Sequence, residues 1–581
     1  MRRTTRSIVV GCAAAAAAIL FVASAPAAES LTDTLLKNLG SDKVQVSSSA
    51  AQTLGELYAA ADGQPVREGR QRVVKALLAK LTAGGEAAWP VRKACAEALG
   101  RVKAAEAVPA LKAAWDGTHI ELAIGATHAL VQILSAEEMG ELARKRLTGA
   151  GASQAAAARY LSTVATAADE DLLAAGLEAE EWRTRKHCAA GLGAIVRRGG
   201  KLSAKTCERL AGLLGGTVLN VVEAAQATLA AAGSPEAVAA LGKAATTTGD
   251  GSRLDTTWRL RVAAIKTLGR IRMPRIQSAL PAVVAGLGDE TVNVIKVSKQ
   301  VLARVPANRR YPLLLGALKR STSDRVKAGI IEALSAGVPA KHKAEAATLA
   351  LAALKAAGAG PGGARLRAAA IHLLGASGRA DAAEEIAKGL TSEVVVIRRA
   401  AGAALAKLKL SAEQNEKIAR MLIPTLQGED WRAALAATLA LRTVPAKAAV
   451  KSLVLSGLGH RVLNVQEAAA GTLTEYGKHA ELKKAIETLL LAQGENPATW
   501  EQGAALLGRL KTEGAAPLLL KMIVADGGKD HWRVQVNAAR ALGQVGVKND
   551  DVKAALLTCT QSSVVQVRNA ANQALRTLWK Q

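Results

Sequence analysis

The sequence predicts an all-α protein in which one pair of helices recurs along the chain. In the segment 256–270 the apolar residues recur at the three- and four-residue spacing of a single helix face, up to Leu268. Closely related segments occupy 89–100, 182–193 and 532–543. No segment sustains the alternation of apolar and polar residues that is typical of a half-buried strand. These observations together predict helices without a sheet.

A leucine near the end of the second helix marks each predicted pair. Sixteen of these marker leucines can be followed, at a mean spacing of about 35 residues, which suits two helices of about a dozen residues with tight turns. The marker leucines are Leu54, Leu99, Leu130, Leu161, Leu192, Leu229, Leu268, Leu302, Leu334, Leu374, Leu405, Leu441, Leu473, Leu507, Leu542 and Leu575.

The first helix of each pair is predicted between two marker leucines, as in 276–289 and 417–430. Several of these segments begin near proline or an acidic residue and end at glycine, the asymmetry expected of helix ends. Pro281 and Pro424 are predicted to lie inside such helices and to kink them. The glycine-rich segment 358–364 lacks the lysine of a phosphate loop. It is predicted to be a flexible loop near which the curvature of the array changes.

The second-helix segments, of the type V-R-x-x-A-A-x-A-L-G, resemble the HEAT-repeat superfamily, in particular its short armadillo-type variety and secreted bacterial HEAT-repeat proteins. The resemblance implies a right-handed superhelix of helical pairs, an α-solenoid, over residues 29–581. It also implies that the second helices line the concave surface. A scaffold of this kind serves many functions, so the resemblance does not identify the molecule that the chain binds.

Residues 1–28 have the features of a bacterial secretory signal peptide. Arg2, Arg3 and Arg6 precede a long apolar stretch, and the small residues at 25–27 form a cleavage context. No later stretch approaches 18 uninterrupted apolar residues, so no membrane-spanning segment is predicted in the mature chain. We therefore expect a periplasmic or secreted protein.

The chain is strongly basic. It carries 76 Lys and Arg against 49 Asp and Glu, a net charge of +27. Residues 251–345 alone hold 18 basic and 6 acidic side chains. Such an excess favours an acidic partner.

Four cysteines follow the predicted signal peptide. The positions of Cys95 and Cys188, four residues before a marker leucine, are filled by small residues in other repeats, which predicts buried core residues. Cys188 and Cys207 form the one plausible disulfide, although sequence does not give their separation. The fourth is Cys559, and four scattered cysteines are not a disulfide framework.

Five tryptophans lie ten residues before a marker leucine, at the start of the second helix: Trp89, Trp182, Trp258, Trp431 and Trp532. They either pack the turn against the preceding helix or form an exposed aromatic row for a partner. Basic residues occupy nearby positions. Seven residues before a marker stand Arg92, Arg185, Arg261, Lys327, Arg367, Arg398 and Arg568; nine before it stand Arg183, Arg259, Arg365, Arg432 and Arg533.

Two interpretations of these basic residues remain open. They form a basic stripe along the inner face, or they form the Arg–Asp ladder that connects neighbouring repeats in the family. The stripe interpretation predicts that Arg259, Arg261, Arg365 and Arg367 are largely exposed. The predicted binding residues are Arg183, Arg185, Arg259, Arg261, Arg365, Arg367, Arg398, Arg399, Trp182 and Trp258.

The sequence offers little for catalysis. Its eight histidines are scattered, without the spacing of a zinc protease, a C-x-x-C pair or a G-x-S-x-G turn. We therefore predict no catalytic, metal or cofactor-binding residues. Some proteins of related repeat type are bilin lyases or DNA glycosylases, but none of their catalytic residues can be matched here. The sequence thus predicts a non-catalytic scaffold for a protein partner, acidic or extended. The alternative is a binder of nucleic acid, anionic polysaccharide or lipid.

Overall fold

The computed structural model describes residues 25–59, 69–83, 85, 88–248, 256–492, 497–525 and 531–579. Within these ranges the chain folds into α-helices with short 3-10 or π turns and without strands, so the predicted all-α class is confirmed. Residues 1–24 of the signal peptide predicted at 1–28 lie outside the described residues. The described chain divides into two compact units, between Ala282 and Val283.

The first unit is a succession of helical pairs in which even-numbered helices carry the marker leucines. Its helices are α1 (Ala25–Leu39), α2 (Val44–Leu57), α3 (Arg70–Thr82), α4 (Trp89–Arg101), α5 (Val108–Trp115), α6 (Ile120–Ile133), α7 (Ala136–Leu147), α8 (Gly151–Val164), α9 (Glu170–Gly176), α10 (Trp182–Arg197), α11 (Ala204–Gly212), α12 (Leu219–Ala232), α13 (Pro235–Ala245) and α14 (Thr257–Leu268). The short α15 (Leu280–Ala285) contains the division between the units.

The second unit repeats the same arrangement. Its helices are α16 (Val292–Arg304), α17 (Ala307–Arg320), α18 (Asp324–Ser335), α19 (Ala340–Ala356), α20 (Gly360–Ser377), α21 (Ala383–Lys388), α22 (Val395–Leu405), α23 (Ala412–Leu426), α24 (Trp431–Leu441), α25 (Lys447–Ser452), α26 (Leu463–Tyr476), α27 (Ala480–Ala492), α28 (Trp500–Leu510), α29 (Ala516–Val524), α30 (His531–Val545), α31 (Asp550–Cys559) and α32 (Val565–Trp579).

The marker leucines form the centre of the core in both units. All of them are buried except Leu575, which is only half-buried. Leu575 nevertheless keeps the register of the repeat, because Gly543, after the preceding marker leucine, faces Ala574. Because each helix pair buries its leucine against its neighbours, the core extends along each unit.

The A-L-G triplet lets successive second helices approach closely. The glycine after the marker leucine faces the alanine before the next one, as Gly100 of α4 does with Ala129 of α6. A Cβ atom on Gly100 would lie 2.5 Å from the Ala129 Cα, which leaves no room for a side chain. The same approach joins Gly375 to Ala404 in the second unit. The triplet is therefore part of the helix and also sets the distance between successive second helices.

Two sequence predictions about loops and prolines are wrong. Pro281 lies in the first turn of α15, because the preceding residues form a 3-10 helix instead of the α-helix predicted for 276–289. Pro424 does lie inside α23. The segment 358–364 is mostly the first turn of α20, with Pro361 suited to a helix start. The Asp324 carboxylate accepts a hydrogen bond from the Gly358 amide at 2.9 Å and so fixes the approach to this helix.

The four cysteines are buried and unpaired. Cys188 and Cys207, the predicted disulfide candidates, are both free thiols. Burial raises the pKa of each of these two thiols to about 12, which disfavours the reactive thiolate. The prediction that Cys95 and Cys188 are small core residues is confirmed, since both are 0% exposed.

Asp169 is a buried carboxylate in the first unit, 1% exposed. Its oxygens accept hydrogen bonds from the Arg144 Nε at 2.6 Å and the Thr166 amide at 2.8 Å. Burial alone would raise the pKa of Asp169, but these hydrogen bonds and the Arg144 charge lower it below its usual value. The ionised carboxylate therefore stabilises the fold above the unfolded-state pKa, and this contribution is lost as the pH falls through the lower folded-state pKa.

We expect Asp169→Asn to lower the free energy of unfolding by about 2 kcal/mol at pH 7, because charge-assisted hydrogen bonds are lost. The difference from the parent protein should shrink at a pH well below about 3.9, where the parent carboxylate also becomes protonated. Urea unfolding at both pH values measures the two differences. An equal difference at the two pH values would show that the charge of Asp169 contributes nothing.

Candidate binding surface on the second helices

The five predicted tryptophans all begin second helices, and all are half-buried. They are Trp89 in α4, Trp182 in α10, Trp258 in α14, Trp431 in α24 and Trp532 in α30. Half-burial therefore gives each tryptophan both a packed and an accessible part.

Four of these tryptophans carry an arginine over the ring. The guanidinium carbon lies 4.7 Å from the ring centroid for Arg183 on Trp182, and 5.6 Å for Arg259 on Trp258. The pairs Arg432–Trp431 and Arg533–Trp532 show distances of 4.7 and 5.5 Å. The arginine immediately follows the tryptophan in each case, nine residues before the marker leucine. These Trp–Arg pairs combine apolar area with a cation at the start of a second helix.

Trp89 differs because proline follows it in place of arginine. Its ring stacks on the imidazole of His119, with 4.2 Å between centroids and 13° between planes. His119 is the residue before α6, so this contact joins two neighbouring second helices. Trp89 is therefore a packing contact between repeats.

The arginines seven residues before the marker have a different role. Arg92 Nε donates to the Leu81 carbonyl at 2.9 Å, and Arg185 Nη1 donates to the carbonyls of Ala179 and Glu180 at 2.5 and 2.6 Å. In each case the acceptor lies at or just after the end of the first helix of the same pair. The last carbonyls of a helix lack helical partners, so these arginines cap the turn between the two helices.

The same cap recurs in both units. Arg261 Nη1 donates to the Thr247 carbonyl at 3.2 Å, and Arg367 Nη1 donates to the Ala357 carbonyl at 3.4 Å. Arg398, only 8% exposed, donates to the carbonyls of Ser392 and Glu393 at 2.6 and 2.9 Å, and Arg568 makes the equivalent bonds to Ser562 and Ser563. We call Arg92, Arg185, Arg261, Arg367, Arg398 and Arg568 the capping arginines.

Of the four arginines predicted to be largely exposed, only Arg259 is exposed. The prediction is wrong for Arg261 and Arg367, whose side chains turn back to cap a helix, and for Arg365. Arg365 forms a two-bond ion pair with Glu332 of the preceding second helix, Nε–Oε1 2.8 Å and Nη2–Oε2 2.9 Å. Arg399, at the surface of α22, is exposed.

Glu332 also accepts a hydrogen bond from Lys299 Nζ at 2.7 Å. Lys299, Glu332 and Arg365 lie on α16, α18 and α20, so one carboxylate connects three successive second helices. Burial alone would raise the pKa of Glu332, but the hydrogen bonds from Arg365 and Lys299 lower it below its usual range. This cluster is the ladder between repeats that the alternative interpretation describes, with glutamate in the place of aspartate.

A further feature escaped the sequence interpretation. Repeats without tryptophan mostly carry an aliphatic residue at the same position, and several of these are strongly exposed, including Leu219 at 66% and Val292 at 74%. We call these residues and the tryptophans the helix-start row. It comprises Val44, Trp89, Ile120, Trp182, Leu219 and Trp258 in the first unit, and Val292, Val395, Trp431, Leu463, Trp532 and Val565 in the second. The row can be recognised in the sequence, because an apolar residue stands ten positions before most marker leucines. Only its tryptophan members were predicted.

A cavity of about 730 Å³ in the first unit lies between α6, α7 and α8, with His128, Arg159 and Tyr160 in its lining. Burial and the nearby Arg159 lower the pKa of His128, which favours the neutral imidazole. Among the residues that the structure describes, no group of three or more His, Cys, Asp or Glu could hold a metal ion.

No described helix combines the length and the apolar composition that crossing a membrane requires.

The fold and the repeated second-helix geometry define an α-solenoid, a class that presents extended binding surfaces. Residues 250–335 and 487–576 match the sequence profile of HEAT repeats. The match identifies HEAT repeats in these two segments of the chain.

Several solved structures are similar in fold to this chain. Yeast importin-beta (Kap95p) is 14% identical, with a TM-score of 0.38, and the similarity covers 96% of this chain and 89% of that one. Kap121p bound to Nup53p is 13% identical, with a TM-score of 0.41 and coverage of 97% and 72%. Kap121p bound to RanGTP is 11% identical, with a TM-score of 0.38 and coverage of 96% and 78%. A search of curated proteins gives no match.

Proposed function

We propose that this chain is a non-catalytic binding scaffold whose second helices hold an acidic, extended protein partner. The observation that supports the proposal most directly is the recurrence of the Trp–Arg pair at the start of four second helices. Each pair offers an accessible aromatic surface beside a cation, the composition that is enriched where proteins bind one another. The net charge of +27 favours a partner of opposite sign.

We assign this function to some of the predicted arginines and not to others, according to their contacts. In the Trp–Arg pairs, Arg183, Arg259, Arg432 and Arg533 lie over a ring at the protein surface. Arg185, Arg261, Arg367 and Arg398 are capping arginines, so their guanidinium groups are already occupied by carbonyl oxygens. We therefore assign binding to the first set and stability to the second.

Export is part of the same proposal. The predicted signal peptide at 1–28 directs the chain to the periplasm or the exterior, where the partner would also lie. Fractionation of the native host, with detection of the chain in the periplasm or medium, tests this location. Recovery of the full-length chain in the cytosol would contradict it.

Arg259 and Arg261 provide a matched pair, two residues apart on α14. Arg259→Glu should weaken binding of the acidic partner severalfold, because attraction becomes repulsion, and change stability by no more than about 0.5 kcal/mol. Arg261→Ala should lower the free energy of unfolding by about 1–2 kcal/mol, because the turn after α13 loses its cap, while the folded protein keeps its affinity. Titration calorimetry and urea unfolding of both variants measure the two effects.

The proposal fails if Arg259→Glu destabilises the chain and leaves the affinity of the folded fraction unchanged. The partner itself can be isolated by cross-linking in native envelope fractions, followed by purification at salt above physiological concentration. Retention of a defined protein would support the scaffold. Recovery of nucleic acid or anionic polysaccharide alone, with log K falling linearly with log salt, would contradict it in favour of a polyanion binder.

A further inference from the structure

Three successive second helices of the first unit begin with large apolar residues. These are Trp182 on α10, Leu219 on α12 and Trp258 on α14. α10 contacts α12, and α12 contacts α14, so the three residues occupy the same repeat position on three successive, contacting helices. Leu219 is 66% exposed and both tryptophans are half-buried, so the three form an accessible apolar row. Burying this row would gain the free energy of apolar transfer.

Positive charge lies beside the same residues. Arg183 and Arg259 cover the two tryptophan rings, and Arg259 is exposed. Arg183 also contacts the Glu181 carboxylate, Nη1–Oε1 3.3 Å, with both side chains about one-third exposed at 39% and 32%. Because the amide groups at a helix start add partial positive charge, the row as a whole favours carboxylates. Its ligand should therefore combine apolar and acidic side chains.

The spacing of the row indicates the conformation of that ligand. Packed helices lie about 8–10 Å apart. In a polyproline II helix every third residue returns to the same side after about 9 Å, since the rise is about 3.1 Å per residue. In a β-strand, residues three apart point to opposite faces, so a strand cannot place successive apolar side chains on successive repeats. Segments in the polyproline II conformation also bind aromatic surfaces in other proteins.

We propose that Trp182, Leu219 and Trp258 bind a polyproline II segment of an acidic protein, with an apolar side chain at every third position and carboxylates beside it. The inference rests on the proposed function and names the chemistry of the partner. An exposed leucine at the centre of the row gives no favourable contact to a phosphate or sugar backbone, which separates this partner from a polyanion. The second unit carries a comparable row of its own, Val395, Trp431 and Leu463 on α22, α24 and α26, with Arg432 over Trp431.

Fluorescence anisotropy with synthetic peptides tests the proposal on the full chain. The probe is a labelled peptide of five Leu-Pro-Glu triplets, and its reference is a peptide of the same composition in which the leucines do not recur every third residue. We expect the ordered peptide to bind about tenfold more tightly, because only it places successive leucines on successive repeats.

Leu219→Glu should abolish that advantage and weaken the ordered peptide by about tenfold. Val131→Glu is the matched control, since Val131 is an exposed valine, at 44%, near the opposite end of a second helix of the same unit. It introduces the same charge away from the row and should leave the affinity unchanged. Circular dichroism of both variants confirms that each is folded.

The outcomes separate this inference from the proposed function. In one outcome the two peptides bind equally, with an affinity that Arg259→Glu lowers and Leu219→Glu does not. That result would overturn the polyproline II proposal and leave the acidic-partner scaffold intact. Equal loss in Leu219→Glu and Val131→Glu would also overturn the row, since the effect would then be one of charge alone. Insensitivity of both peptides to all three substitutions would overturn both proposals.

Discussion

Replacing Leu268 with alanine should lower the stability of the first unit by about 2–5 kcal/mol. Leu268 is the marker leucine of α14 and is 0% exposed. Its removal takes a buried side chain from the core and leaves a cavity that the rigid helix backbones fill only in part. Urea unfolding of the full chain, monitored by circular dichroism, measures the loss.

The location of the damage is as informative as its size. Each helix pair packs mainly on its neighbours, so hydrogen exchange should accelerate in α12 and α14 before it does so in distant repeats. Leu219→Ala is the matched control, because the same substitution at a 66% exposed position should change stability by no more than about 0.5 kcal/mol. Uniform loss of protection from Leu54 to Leu575 would contradict the quasi-one-dimensional core.

The repeat was predictable because its strongest signal is local. Helix periodicity, the marker leucine and a spacing near 35 residues are all read within one repeat, and nearly all of the marker leucines are buried as predicted. The predictions failed where the burial or the conformation of a residue depends on neighbouring repeats. Leu575 is only half-buried because α32 packs mainly on the preceding helices α30 and α31. The glycines of 358–364 begin a helix whose approach is fixed by Asp324 of the preceding pair.

The arginines illustrate the same limit at the candidate site. Arg259 and Arg261 are two residues apart, and a helix turns by about 200° over that interval, so they project in nearly opposite directions. In the sequence both are simply basic residues near a tryptophan, and nothing there distinguishes their roles. Only the position of the preceding turn reveals that Arg261 reaches the Thr247 carbonyl while Arg259 lies over Trp258. Likewise, the exposure of Leu219 depends on how neighbouring helices pack, which no local pattern contains.

Gly329→Ala should destabilise the second unit by about 3 kcal/mol, although alanine normally favours helix over glycine. Gly329 lies in the middle of α18, where a Cβ atom would approach within 2.6 Å of the Leu287 carbonyl carbon. Because the obstructing atoms belong to the backbone, α18 and the preceding turn would have to separate, which would also disturb the contacts of Glu332 on the same helix.

Gly471 provides a control with the opposite expected sign. It also lies in the middle of a second helix, α26, but a Cβ atom there would meet nothing within 4 Å. Gly471→Ala should therefore stabilise the unit by about 1 kcal/mol through helix propensity alone. Thermal and urea unfolding of both variants give the comparison. If Gly329→Ala proved neutral or stabilising, the close approach of α18 to the Leu287 backbone could not be a fixed feature of the packing.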